Sequence, residues 1–347
     1  MKVAIAMSGG VDSSVAAALL KEEGHEVIGA TMRLMPQATH AETDAANIAR
    51  RLGIPHHVMD FTDIFARRVI DDFCREYSLG RTPNPCVLCN KYIKFGILWE
   101  RARELGADLI ATGHHARIER DETSGNYLLK KGADIQKDQS YFLCRLTQEQ
   151  LSNAIFPVGN LTKDRVRQIA RELELPAADR PESQEICFIP DDDYPGFLKN
   201  HIPGATGPGP ILDREGNIMG QHRGLIYYTV GQRKGLGIAA AEPLYVIAID
   251  PDRNAVIVGT KEQTYGDDLV AGNLNWIAII RPERPIKIKA KVRYRQPEAE
   301  AIVSPLDCDS FYVKFAEPQM AITPGQAIVF YEGDTVTGGG TILRQGR

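Results

Sequence analysis

A short apolar run, KVAIAM at residues 2–7, passes at once into SGGVDSS and then into VAAALLKEEG, good helix formers that stop at Gly24. Strand, glycine turn and helix in immediate succession predict a βα unit. The theme then repeats. EVIGATMRL (26–34) and HHVMDF (56–61) read as strands, with the helical ETDAANIARRLG between them closing on Gly53. Phe65, Val69, Phe73 and Tyr77 recur every four residues, one face of a helix. IKFGILWERARELG is a further amphipathic helix and ADLIATGHH a further buried strand. Such alternation predicts a doubly wound parallel sheet with helices on both faces, an α/β fold. Ligands of such sheets bind beyond the carboxyl ends of the strands, where both SGGVDSS and TGHH fall.

The pattern changes near residue 200. IPGATGPGPILDREGNIMG is dense in glycine and proline, and short strands around turns follow it. From about residue 266 only strands remain. The expected organisation is therefore 1–200 as an α/β catalytic domain, 201–265 as a small β-rich middle domain and 266–347 as a β-barrel. A chain of 347 residues suits several cores. No apolar run is long enough to span a membrane, and MKVAIAMSGG turns to glycine too soon for a signal peptide. Six cysteines without an export signal are expected to be free thiols in a reducing cytoplasm, where a close pair is a metal or catalytic candidate. The net charge of -4 leaves room only for a local basic face. IKIKAKVRYR supplies one: Lys287, Lys289, Lys291, Arg293 and Arg295 alternate with apolar residues, so a strand here would show a fully basic face to RNA. A solvated edge strand is the simpler reading of the same pattern.

SGGVDSS also has the makings of an anion site. Gly9 and Gly10 permit a tight turn, the helix that follows aims its N–H groups at the turn, and Ser8, Ser13 and Ser14 offer hydroxyls. Asp12 suits Mg²⁺ or the ordering of the loop. The segment resembles the pyrophosphate loop of the N-type ATP pyrophosphatases, which adenylate an oxygen while cleaving ATP to AMP and pyrophosphate. GRTPNPCVLCNKYIKF, ATGHHARI, KDQSYFL, SQEICFI, YYTVGQRKGLGI and TPGQAIVFYEGD then follow in the order seen in the tRNA-specific 2-thiouridylase family. That resemblance spans nearly the whole chain. It implies ATP-dependent 2-thiolation of the tRNA wobble uridine, with ATP held by Ala6, Met7, Ser8, Gly9, Gly10, Val11, Asp12 and Ser13 and bordered by Met32 and Gly113.

The resemblance further implies two working cysteines. Cys187 would carry a persulfide from a cysteine desulfurase or sulfur-relay protein, and Cys89 would release that sulfur or form a disulfide with Cys187. Lys91 and Lys94 would favour the thiolates. Many members of the family carry Asp where this chain has Cys86. Cys86, Cys89 and Cys187 together could hold a [4Fe–4S] cluster with one open iron, and the sequence leans that way over the persulfide relay, with zinc last. Contacts to the tRNA anticodon stem-loop are implied for Asn84, Pro85, Cys86, His114, Lys137, Asp138, Gln139, Arg293, Tyr294, Arg295 and Gln326. The TPNP segment is expected to be an irregular mobile lid. Cys74, Cys144 and Cys308 read as structural. Two rival functions share parts of this pattern: a ligase of the same superfamily adenylating a small molecule, and a non-catalytic RNA-binding iron–sulfur protein.

Overall fold

In the computed structural model, residues 1–36, 40–178, 186–189, 193–202 and 207–346 are described. Ser183 to Glu185 of the SQEICFI motif, the middle of the boundary segment at 203–206 and the last barrel residue lie outside them. The first sheet is parallel, and β1 (Lys2–Ala6) lies at its centre. On one side are β2 (Glu26–Arg33) and then β3 (His56–Asp60); on the other is β4 (Leu109–Ala111). Side chains of β1 alternate between two cores, as a pleated strand buried on both faces requires. Val3 and Ile5 join Val15 and Leu20 of α1 (Val11–Glu22), while Ala4 and Ala6 join Phe65, Phe73 and Phe95. The strand order reverses between β1 and β4, so the crevice beyond their carboxyl ends is where a ligand belongs.

The helices that border this crevice are not uniform. One continuous helical run begins at Pro85, passes through a nine-residue π-helix at Cys89–Ile97 and ends at Glu104. Asn84 is its N-cap and Pro85 its first residue, a position where proline's fixed φ and missing N–H do no harm. Cys86 is thus already helical, and only the residues before Asn84 remain an irregular segment.

Two strands from the first domain, β5 (Ala116–Arg120) and β6 (Tyr127–Lys131), form a hairpin that leaves the parallel sheet. The sheet's edge beyond β4 is taken by β7 (Ala154–Ile155). The middle part is a four-stranded sheet of β8 (Gly209–Leu212), β9 (Ile218–His222), β10 (Tyr245–Asp250) and β11 (Ala255–Gly259). The remaining strands are β12 (Tyr265–Trp276), β13 (Ile286–Lys291), β14 (Ala299–Pro305), β15 (Ser310–Met320), β16 (Ala327–Glu332) and β17 (Thr335–Gln345). Pairing of β12 with both β15 and β17 closes them into a six-stranded antiparallel barrel around Phe311, Phe315, Phe330 and Ile342. The β5–β6 hairpin adds to β17, with Leu129 opposite Val336, and so couples the first domain to the barrel. Among the described residues no helix is long and apolar enough to cross a membrane.

Candidate active site

The loop after β1 is shaped by close backbone approaches. Gly9 has φ +74, and a Cβ there would come within 2.7 Å of Asp44 Cβ. Gly113 is tighter still: a Cβ would lie 2.6 Å from Ser13 N. Its glycine is required by the loop itself, which packs directly on the end of β4. Gly10 is the N-cap of α1 and no side chain caps this helix, so the first-turn N–H groups are left to a ligand. The serines divide their work. Ser13 and Ser14 donate to Gly10 O at 3.1 and 2.8 Å, and Ser13 Oγ accepts from Ser8 N, whereas Ser8 is exposed at the mouth. Ala6, Met7, Gly9, Val11 and Ser13 are buried beneath the loop. Met32 sits half-buried at the end of β2, beside Thr31, which donates to Met7 O at 2.8 Å.

Asp12 is held by two partners that sequence reading did not connect. Lys163 Nζ donates to both carboxylate oxygens at 2.7 Å, and His115 Nε2 lies 3.1 Å from Oδ1. Burial alone would push this carboxyl up; the bonds from His115 and Lys163 more than offset it and leave the pKa below the usual carboxylate range. Lys163 opens the helix Lys163–Glu172, which Thr162 caps, and an ordinary TK pair at a helix start carries no signal of this role in the sequence. His114, next to Gly113, is buried with Nδ1 2.6 Å from Thr112 Oγ1. Burial, then the nearby Lys94 and His115, push its pKa well down, so it is a neutral imidazole at pH 7.

The thiols gather around Lys94. This lysine lies within electrostatic reach of Cys86, Cys89, Cys187 and His114, and pulls the pKa of each thiol down. Burial outweighs it. Cys86 is pushed up to about 11 by surrounding protein and by Cys187, although one side stays open to solvent. Cys89 is buried and pushed up to about 12, and Cys187, also exposed on one side, is raised by burial. Phe188 fixes the Cys187 segment by inserting between Phe65, Phe73 and Phe197, with ring centroids 5.4–5.5 Å apart. The π-helix brings Lys94 to Cys89. A ladder of i→i+5 bonds widens the turn and brings position i+5 toward the face of i, where an α-helix sends it to the far side. Gln150 Nε2 holds the carbonyls of Lys91 and Phe95 at 2.7 and 3.0 Å, and Gly96 leaves room beside Lys91 O.

The structure lends the expected [4Fe–4S] cluster no support: among the described residues no group of three ligating side chains is gathered about a metal position.

The residues implied for RNA separate into exposed and interior groups. Asn84 is half-buried at the helix start, Pro85 is buried below it, and Lys137 is half-buried. Asp138 is buried and accepts from Gly132 N, Ser140 N and Ser140 Oγ; Gln139 Oε1 accepts from His115 N at 3.0 Å. These two shape the loop behind the histidines. The basic strand is shorter than its pattern: β13 ends at Lys291, and only Lys287 and Lys289 form an exposed basic face. Arg293 turns inward after the strand and donates to Val230 O, Ala321 O and Thr323 Oγ1. Tyr294 packs on Phe142 at 4.5 Å, and Arg295 is exposed. Gln326 Nε2 donates to Thr82 O and Pro83 O at 2.8 and 3.3 Å, and Thr82 N donates to Pro324 O. The expected mobile lid is thus tied to the barrel by its own backbone.

An ATP-loop domain with three thiols grouped near one lysine, followed by a small sheet and a closed barrel, defines a sulfur-handling enzyme of the pyrophosphate-loop class. Residues 1–191 match the tRNA methyl transferase HUP domain, 195–260 the tRNA methyl transferase PRC-barrel domain and 266–342 the aminomethyltransferase beta-barrel domain. The tRNA-specific 2-thiouridylase MnmA 1 of Caldanaerobacter subterraneus subsp. tengcongensis is 52% identical, over 100% of this chain and 99% of its own. MnmA of Heliobacterium modesticaldum is 51% identical, over 99% of this chain and 92% of its own. The chain belongs to the tRNA-specific 2-thiouridylase family.

Proposed function

We propose that this chain is a tRNA-uridine 2-sulfurtransferase that uses ATP to replace the 2-oxygen of the wobble uridine by sulfur. The observation that carries this reading is the identity of about half to 2-thiouridylases over the full length, in a chain where Lys94 lies within electrostatic reach of three cysteines and of His114, whose neighbour His115 meets Asp12 of the glycine loop. The loop and the start of α1 would cradle the ATP phosphates. Mg²⁺ would be held through Asp12 and those phosphates and would neutralise charge on the leaving pyrophosphate, with Lys163 released from Asp12 toward the same region. Uridine O2 attacks the α-phosphorus, forming the O–P bond as pyrophosphate leaves. The C2–O bond is then weakened by its AMP substituent.

Sulfur delivery follows the cysteine pair. The donor, a cysteine desulfurase or relay protein, leaves a terminal sulfur on Cys187. Cys89 thiolate attacks the Cys187 Sγ and displaces hydrosulfide; a Cys89–Cys187 disulfide forms. Hydrosulfide adds at C2 and AMP departs, and an external dithiol reduces the disulfide for the next turnover. Lys94 favours the Cys89 thiolate and the arriving anionic sulfur. Neutral His114 lies beside them as a hydrogen-bonding group for the base. Cys86, where relatives often carry Asp, faces the same space as a further thiol. In this reading residues 1–200 perform the chemistry, 201–265 brace it, and 266–347 help to seat the tRNA, in the cytoplasm where tRNA is modified.

The test is tRNA-dependent pyrophosphate release from ATP, together with a thiol-sensitive gel shift of the product tRNA. Both should require a wobble uridine, and Cys89→Ala should abolish the shift while pyrophosphate release persists. Equal pyrophosphate release with a small acceptor and no tRNA would sink the reading.

A further inference from the structure

Between the segment at 81–88 and the barrel lies a cavity of about 170 Å³. Arg75, Arg81 and Arg145 line it, against the carboxylates of Asp72 and Glu76. Those carboxylates are already engaged: Arg75 pairs with Asp72 and with Glu76 at 3.3 Å, and Arg81 with Glu76 at 3.5 Å. Arg145 is different. Its Nε is buried with no hydrogen-bond partner, and no carboxylate pairs with its guanidinium among the described residues. A second cation, half-buried Lys91, lies near enough that burial and then Arg145 lower its pKa. Arg145 is half-buried, and its Nε, closed off from solvent without an acceptor, is an unmet donor at the cavity wall that an anion placed there would satisfy.

The walls suggest which anion. No residue of the ATP loop, 6–13, borders the cavity, so the ATP phosphates are not its occupant. Asn84 does border it, at the cap of the helix that carries Cys86 and Cys89, and the barrel side contributes Gly325 and Thr341. The two sides are pinned at a fixed distance, because Gln326 holds the carbonyls of Thr82 and Pro83 and a Cβ at Gly325 would come within 3.0 Å of the Thr82 backbone. Planar guanidinium groups match the paired oxygens of a phosphodiester.

We propose that Arg145, with Arg81 beside it, is a phosphate clamp that grips the RNA backbone next to the flipped target uridine. The inference rests on tRNA being the substrate. The clamp sets the strand at a fixed offset from the thiols, so that the extruded base reaches the loop while its neighbouring phosphate is anchored between the first domain and the barrel.

The test compares the full-length protein with Arg145→Gln and Arg145→Lys for binding of a tRNA transcript across a salt series. Arg145→Gln should bind roughly tenfold more weakly, with a log–log salt slope shallower by about one. Arg145→Lys should fall between the two, because the charge remains and the fork is lost. The melting temperature of Arg145→Gln without RNA should be no lower than that of the parent. Single methylphosphonates introduced through an anticodon stem–loop should reveal one position, adjacent to the target uridine, where neutralisation weakens the parent and leaves Arg145→Gln unaffected. Parent-like affinity and slope in Arg145→Gln, or a methylphosphonate scan on the parent with no sensitive position beside the target, overturns the clamp and leaves the thiolation reading intact. Failure of the parent itself to bind or thiolate tRNA overturns that reading and the clamp with it.

Discussion

Lys94 stands between two opposed effects on the sulfur atoms. Packing raises the pKa of Cys86 to about 11 and that of Cys89 to about 12, and the ammonium limits the rise. A thiol reacts as thiolate, so its rate at a given pH falls as its pKa climbs further above that pH. Lys94→Met therefore shifts the pH midpoint for iodoacetamide alkylation of Cys89 and Cys187 upward, and slows both on the order of tenfold at pH 8. Lys94→Arg restores most of the rate, since it returns the charge. Site-resolved mass spectrometry of alkylation across pH checks this. An unchanged midpoint in Lys94→Met would show that the lysine serves only the fold. The sequence pointed to both Lys91 and Lys94, and only the structure separates them: Lys91 lies beside Arg145, whereas Lys94 lies among the thiols.

That separation belongs to the helix that carries them. In an unbroken α-helix from Pro85, Cys89 and Lys94 would diverge, and the nine π-helical residues bring them together. Gln150 bonds the two carbonyls of this stretch while its Oε1 accepts from Thr147 N in a capping box at its own helix start. Gln150→Ala leaves the Lys91 and Phe95 carbonyls without that amide and is expected to cost about 1 to 3 kcal/mol of stability. It should also lower kcat more than it raises the KM for ATP, because the glycine loop is untouched. Chemical denaturation and steady-state kinetics read the two effects separately. Apolar spacing made the helices legible, since Phe65, Val69, Phe73 and Tyr77 all reach the core as expected. The same spacing is blind to one added residue per turn, so both π segments, at 66–70 and 89–97, were invisible in it. The glycine loop was legible because its dihedral demands restrict residue type. Lys163 and Gln150 act across long sequence separations, which a linear pattern does not encode.

Across the whole molecule, charge that looked like RNA-binding surface turns out to join its parts. Alternation in IKIKAKVRYR is true of β13 as far as Lys291, and the chain then turns, which carries Arg293 inside. There its guanidinium links the Val230 carbonyl, in the turn between β9 and β10, to Ala321 and Thr323 of the segment that leads to Gln326 and its contact with Thr82 and Pro83. Arg293→Ala removes three donated bonds and strands the Val230 carbonyl, while Ala321 O keeps its bond from Thr323 Oγ1. The expected loss is about 2 to 4 kcal/mol of stability, with faster hydrogen exchange around 228–232 and 82–84, where the released segments lie. Lys289→Ala, on the exposed face of β13, should leave stability unchanged and weaken tRNA binding about threefold, with a shallower salt slope. Hydrogen exchange and RNA titration on both variants discriminate between the roles. If Arg293→Ala keeps the parent's stability and loses RNA affinity, its guanidinium faces the substrate, and the joint between middle sheet, barrel and lid must be held by other bonds.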